Sequence, residues 1–225
     1  MKMIASRRFV AACLVFSLSG LSHAADIPLY PTGPSADSSF VRFINATDVP
    51  LELTAAGSQA RIKLDDTQPA TSFYPVAAKA DIKGRFTSAQ AKTDVSVKVK
   101  PGEFVSVIAL SNGTTLKQLI VGEEPDDFNA LKASLAFVNA SDSCAKAGLQ
   151  VVGRTVMLFE NVVPEKLVRR SINPVKISVQ LLCDGQPTGT VLNLRELEPG
   201  ERYSVFAVPS ANSARIFLAS DSVAR

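Results

Sequence analysis

The sequence predicts an all-β protein: two tandem β-sandwich domains from an internal duplication, joined by a short linker. A turn feeding a strand occurs twice, as Pro101-Gly102-Glu103 before residues 104–110 and as Pro199-Gly200-Glu201 before residues 202–208. In each copy Pro presets one turn torsion and Gly supplies a positive one, so the chain reverses into a run of β-branched and aromatic residues. Upstream, Phe43-Ile44-Asn45-Ala46-Thr47-Asp48 matches Phe137-Val138-Asn139-Ala140-Ser141-Asp142, an apolar strand end running into an Asx-type turn. Nothing in either copy holds a helical period for long, and units of about a hundred residues are too long for a solenoid repeat.

Taken in order, the chain begins with Lys2, Arg7 and Arg8, an apolar run over residues 9–18, and the small-residue site Ser22-His23-Ala24. This predicts a secretory signal peptide over residues 1–24. The run falls short of the roughly 20 apolar residues that span a bilayer, so no transmembrane segment is expected in the mature chain. The formal net charge of +3 comes from 24 basic and 21 acidic residues, and the leader carries three of the basic ones, leaving a formally neutral mature chain. It also carries His23, the only histidine, and Cys13. Cys144 and Cys183 remain, and in an oxidising compartment one disulfide is expected between them. Closing that loop stabilises the second domain by about 3–4 kcal/mol.

Residues 25–125 are expected to form the N-terminal sandwich. It is preceded by an extended arm in which Pro28, Pro31, Gly33 and Pro34 surround Tyr30. Strand-like runs follow at 40–45, 51–54, 60–64, 72–76, 83–87, 94–99, 104–110 and 116–121. Val95, Val97 and Val99 alternate with Ser96, Lys98 and Lys100, the period of a strand with one wet face. The acidic linker, residues 126–131, contains Phe128, a ring expected to plug the domain boundary. The C-terminal sandwich, residues 132–225, repeats the scheme at 135–139, 149–152, 156–161, 176–182, 190–194, 203–208 and 215–219.

The mature chain lacks the histidine base that most hydrolases and acyltransferases place beside a nucleophile. Ser143 and Lys146 have the spacing of a serine–lysine dyad, but such a dyad needs a helix, and here the segment is a turn beside a half-cystine. Asp65-Asp66 and Asp126-Asp127 are sequence neighbours, so each pair splays apart and cannot flank one glycosidic bond. No metal-ligand loop and no phosphate cradle is present, so no cofactor is expected. Binding stays open. Lys166, Arg169, Arg170 and Lys176 form a basic strip that could contact an acidic polymer, against the plainer reading of a solvated face beside Glu160 and Glu165. Three sequons, at Asn45, Asn112 and Asn139, are explained by turn chemistry.

The segments Ala25-Asp26-Ile27-Pro28-Leu29-Tyr30-Pro31-Thr32-Gly33-Pro34, Phe40-Val41-Arg42-Phe43-Ile44-Asn45-Ala46 and Pro125-Asp126-Asp127-Phe128-Asn129-Ala130-Leu131-Lys132 closely resemble the alginate biosynthesis protein F family. The likeness continues through Pro101–Val107 and Arg170-Ser171-Ile172-Asn173-Pro174-Val175 to Pro209 and Ala219-Ser220-Asp221. The resemblance implies a periplasmic accessory protein required for O-acetylation of alginate, with no catalytic motif to carry over. On that basis the expected role is a non-catalytic adaptor docking components of the acetyl-transfer machinery, both periplasmic and membrane-bound, to one another. The alternatives are a module presenting polymannuronate for acetylation, or an acetyl-relay enzyme. No nucleic-acid partner is expected.

Overall fold

The computed structural model describes residues 38–124, 129–211 and 213–224. The expected signal peptide, most of the Pro-rich arm and Phe128 lie outside the described residues. The first copy runs β1 (Ser38–Asn45), β2 (Leu51–Ala55), β3 (Arg61–Leu64), β4 (Tyr74–Ala77), β5 (Asp81–Thr87), β6 (Lys92–Lys98), β7 (Phe104–Asn112) and β8 (Thr115–Glu123). The second runs β9 (Ala133–Asn139), β10 (Ala147–Val151), β11 (Met157–Val162), β12 (Lys166–Ile172), β13 (Val175–Cys183), β14 (Gln186–Leu197), β15 (Arg202–Ser210) and β16 (Ser213–Ser220). β12 is a strand the alternation pattern missed: three cations in Lys-Leu-Val-Arg-Arg-Ser-Ile hide its period.

Each copy forms two four-stranded sheets of identical order. In the first they are β4-β1-β7-β8 and β3-β2-β5-β6; in the second, β12-β9-β15-β16 and β11-β10-β13-β14. The pairs are antiparallel except β1 with β7 and β9 with β15, which are parallel. The duplication extends to individual hydrogen bonds. Gly102 N–H donates to Ser38 O and Gly200 N–H to Lys132 O, each 2.9 Å, and both glycines hold the positive φ their turns require, 74° and 78°. Asn45 Nδ2 donates to Leu64 O and Asn139 Nδ2 to Val162 O, while each Oδ1 accepts from the backbone N–H two residues on. Both amides are buried, and both tie one sheet of their sandwich to the other.

Within each sandwich the alternate residues of the facing sheets make a core. Phe86, Val95, Val97 and Val107 fill the first; Phe137, Leu149, Leu181 and Val205 fill the second. Cys144 and Cys183 are joined by a disulfide in the second core, tying the turn before β10 to the end of β13. The other faces of β1, β7, β9 and β15 are buried too and largely apolar, so these strands read as nearly unbroken buried runs.

Those second faces cover one another. The sheets β4-β1-β7-β8 and β12-β9-β15-β16 meet through a third core made of equivalent residues from the two copies: Ile44 with Val138, Ala46 with Ala140, Ile108 with Phe206, Leu110 with Val208, and Val121 with Ala219. The seam has the self-matching character of a two-fold interface, here within one chain. No helix among the described residues is long and apolar enough to cross a membrane.

Candidate functional site

Beside this apolar seam lies a closed ionic cluster. Arg42, from the middle of β1, is fully buried, with its guanidinium between the rings of Phe73 and Phe206 at 4.4 and 4.9 Å from their centroids. Its Nε donates to Ser106 Oγ at 2.7 Å, Nη1 to Asp221 Oδ1 at 2.6 Å and Nη2 to Ser204 Oγ at 2.9 Å. Ser106 and Ser204 occupy the same position of the duplicated strand, one from each sandwich. The Ser204 hydroxyl in turn donates to Asp221 Oδ1 at 2.8 Å.

Arg169 completes the cluster from β12. It donates to Glu123, and through Nη2 to Asp221 Oδ2 at 2.7 Å. Arg202 Nη2 lies 3.7 Å from Glu123 Oε1. By register Glu123 and Asp221 are counterparts at the end of the strand that pairs with the repeated turn-and-strand unit, Glu123 as the last residue of β8 and Asp221 just after β16. Burial opposes ionisation of Asp221, but the charges of Arg42 and Arg169 and hydrogen bonds from Arg169 and Ser204 outweigh it and hold the carboxyl below its ordinary value. For Arg42 burial dominates and lowers its pKa; for Arg169 burial is overcome by the bonds and charges of Glu123 and Asp221, and its pKa is raised.

This removes Arg169 from the basic strip. Its side chain is 6% exposed and turned into the seam. Lys166, Arg170 and Lys176 are exposed, but Lys176 belongs to β13, in the other sheet of the sandwich. Arg170 Nη1 donates to Leu158 O at 2.7 Å, closing the gap between β12 and β11. At the corresponding place in the first sandwich stands Tyr74, beside an apolar cleft of about 260 Å³ between the sheets. Ser143 and the half-cystine Cys144 sit in the turn between β9 and β10, with Ser141 Oγ and Ser143 Oγ 2.9 Å apart. No group of residues suited to a metal ion occurs among the described residues.

The sequence reading passed over Arg42, Glu123, Asp221 and the two serines. The available signal was Arg42 itself, a lone charge inside the apolar run Phe40-Val41-Arg42-Phe43-Ile44, which a buried strand holds only with a partner.

The outward faces of the two remaining sheets differ. On β3-β2-β5-β6 they carry charges in pairs: Arg61 with Glu52 at 3.2 Å, Lys83 with Asp81 at 3.1 Å and Arg85 with Asp94 at 2.6 Å. On β11-β10-β13-β14 the centre is uncharged, with Gln150, Ser178, Gln180 and Leu182 alternating with the core residues of β10 and β13.

The model of the alginate O-acetyl transferase AlgF family matches residues 13–203. The chain belongs to the AlgF family. Over 212 residues it is 28% identical to alginate biosynthesis protein AlgF of Pseudomonas putida, covering 93% of this chain and 91% of that protein. It also aligns with the solved C-terminal domain of AlgF from P. aeruginosa, at 22% identity, covering 40% of this chain and 98% of that domain, with a TM-score of 0.34. The family is tied to O-acetylation of alginate.

Proposed function

We propose that this AlgF-family chain is a periplasmic, non-catalytic adaptor that docks components of the alginate O-acetylation machinery to one another through the outward sheets of its two sandwiches. The observation that carries this reading is the contrast between faces: the seam is built from equivalent positions of the two copies, while the outer faces have diverged, one carrying charge pairs across its strands and the other uncharged at its centre. Two unlike surfaces on one scaffold suit two unlike partners. The family description names acetyl transfer, but the hydroxyls set beside charged groups, Ser106 and Ser204, are buried and already bonded to Arg42 and Asp221. Such hydroxyls support a structural part better than a nucleophile's.

The rival reading, a module presenting polymannuronate, needs a contiguous basic groove centred on Arg169 and Arg170. Arg169 is spent inside the seam, which favours the adaptor. The test is a pull-down of the mature protein against the periplasmic acetyltransferases and, separately, against mannuronate oligomers at two salt concentrations. The adaptor predicts protein retention without oligomer retention, and two separable losses: Arg85→Glu weakens one partner and Gln180→Arg the other. Salt-sensitive oligomer retention lost on Lys166→Ala/Arg170→Ala supports the polysaccharide module instead. Esterase or acetyl-transfer activity abolished by Ser143→Ala would mean that the protein is an enzyme.

A further inference from the structure

We infer that the C-terminal segment Asp221–Ala224 is a clasp that holds the two sandwiches together as one body. After β16 the chain leaves the second sandwich and crosses to the first. Phe73 N–H donates to Ser222 O at 2.8 Å and Ala224 N–H donates to Phe73 O at 2.7 Å, a parallel bridge joining Val223 to Phe73. Ser72 Oγ and Ser222 Oγ lie 3.2 Å apart. Immediately before the bridge, Asp221 takes Arg42 from the first sandwich and Arg169 from the second with its two oxygens. One carboxylate and two backbone hydrogen bonds therefore span the seam within four residues.

Glu123, the counterpart of Asp221 in the first copy, reaches Arg169 and Arg202, both in the second sandwich, but the chain beyond it runs on to the linker. In the second copy the residues after Asp221 turn back onto Phe73 of the first sandwich. The ring of Phe73, whose backbone the clasp grips, also stacks on the Arg42 guanidinium, so the grip and the ion pair act on one point. Pro75, two residues further on in the edge strand β4, has no N–H to offer, which disfavours extending the strand addition beyond the position the clasp occupies.

Opening of the seam can be read separately from unfolding of a sandwich by thiol labelling, because Cys144 and Cys183, the two cysteines downstream of the expected leader, are bridged. Ala46→Cys places the only free thiol of the mature chain in the seam; Val107→Cys places one in the core of the first sandwich. In each background Asp221→Asn and Ala224→Pro are introduced, the second removing the Ala224 N–H donor at an extended position without touching the carboxylate. The clasp predicts labelling of Ala46→Cys about 5-fold faster with Ala224→Pro, the population change for loss of one hydrogen bond. With Asp221→Asn it is about 100-fold or more, as a buried arginine loses a charged partner. Val107→Cys is labelled at an unchanged rate. Equal acceleration at both thiols, or none at Ala46→Cys, overturns the proposal. If Asp221→Asn loses its native circular dichroism, the Ala224→Pro pair of rates decides alone.

Discussion

Arg42 has no route to water, and its charge is met by one carboxylate, two hydroxyls and two aromatic faces. Replacing Arg42 with Ala strips Asp221 of one of its two guanidinium partners and opens a space between Phe73 and Phe206. We expect a loss of about 3–5 kcal/mol, read as a drop in the denaturant midpoint. Replacing it with Met, which fills the same space, costs less, because Arg169 still neutralises Asp221. The same cluster sets a pH dependence. The carboxyl of Asp221 has a folded pKa below its unfolded value, so its contribution is fully present above the ordinary carboxylate range and is lost as pH falls through the folded value. Urea midpoints of the native protein should therefore decline below about pH 4, and Asp221→Asn should flatten that decline. A midpoint profile that stays equally steep in the variant contradicts this assignment.

Among the elements, the disulfide and β12 show what could and could not be read in advance. Pairing of Cys144 with Cys183 followed from compartment and count, and the structure places the bond in the core of the second sandwich between the β9–β10 turn and β13. The closed loop spans a separation of 39 residues. Cys144→Ser/Cys183→Ser should lower stability by about 3–4 kcal/mol, measured as the difference between oxidised wild type and variant. The first sandwich, which contains no cysteine, should unfold at an unchanged midpoint whenever the two transitions are resolved. The repeated Pro-Gly turns and the Asn-centred turns were legible because their residues have few other uses. β12 was not, because Arg169 faces internal carboxylates: a positive charge in a sequence looks solvated until its partners, here 46 residues away in one direction and 52 in the other, are known. The same distance hid the clasp.

For the whole molecule, the two-sandwich plan was present in the repeats, but their arrangement back to back was not. The clue lay in β1, β7, β9 and β15, whose apolar residues occupy both faces, where a sandwich strand with one wet side alternates. An unbroken buried run says that a second cover exists without saying what it is. Phe206 sits at the centre of that cover and stacks on Phe217, 5.3 Å between centroids. Phe206→Ala should destabilise the native protein by about 3–5 kcal/mol, much of it in the contact between sandwiches, as differential scanning calorimetry would show by splitting one transition into two. A variant that melts at a lower temperature in a single undivided step would place the loss inside the second sandwich instead.

The matched seam also has a bearing on how the chain is made. Its first half reaches Val121 with one flank bare, and the residues that cover that flank, ending at Ala219, are synthesised almost a hundred positions later. At roughly 5–20 residues per second the bare flank waits about 5–20 s for its cover. Because the flank is complementary to its own likeness, two nascent chains meeting in that interval hold surfaces that fit each other. Slow production or crowding should therefore divert the protein into pairs joined through their first halves, with the second halves left uncovered.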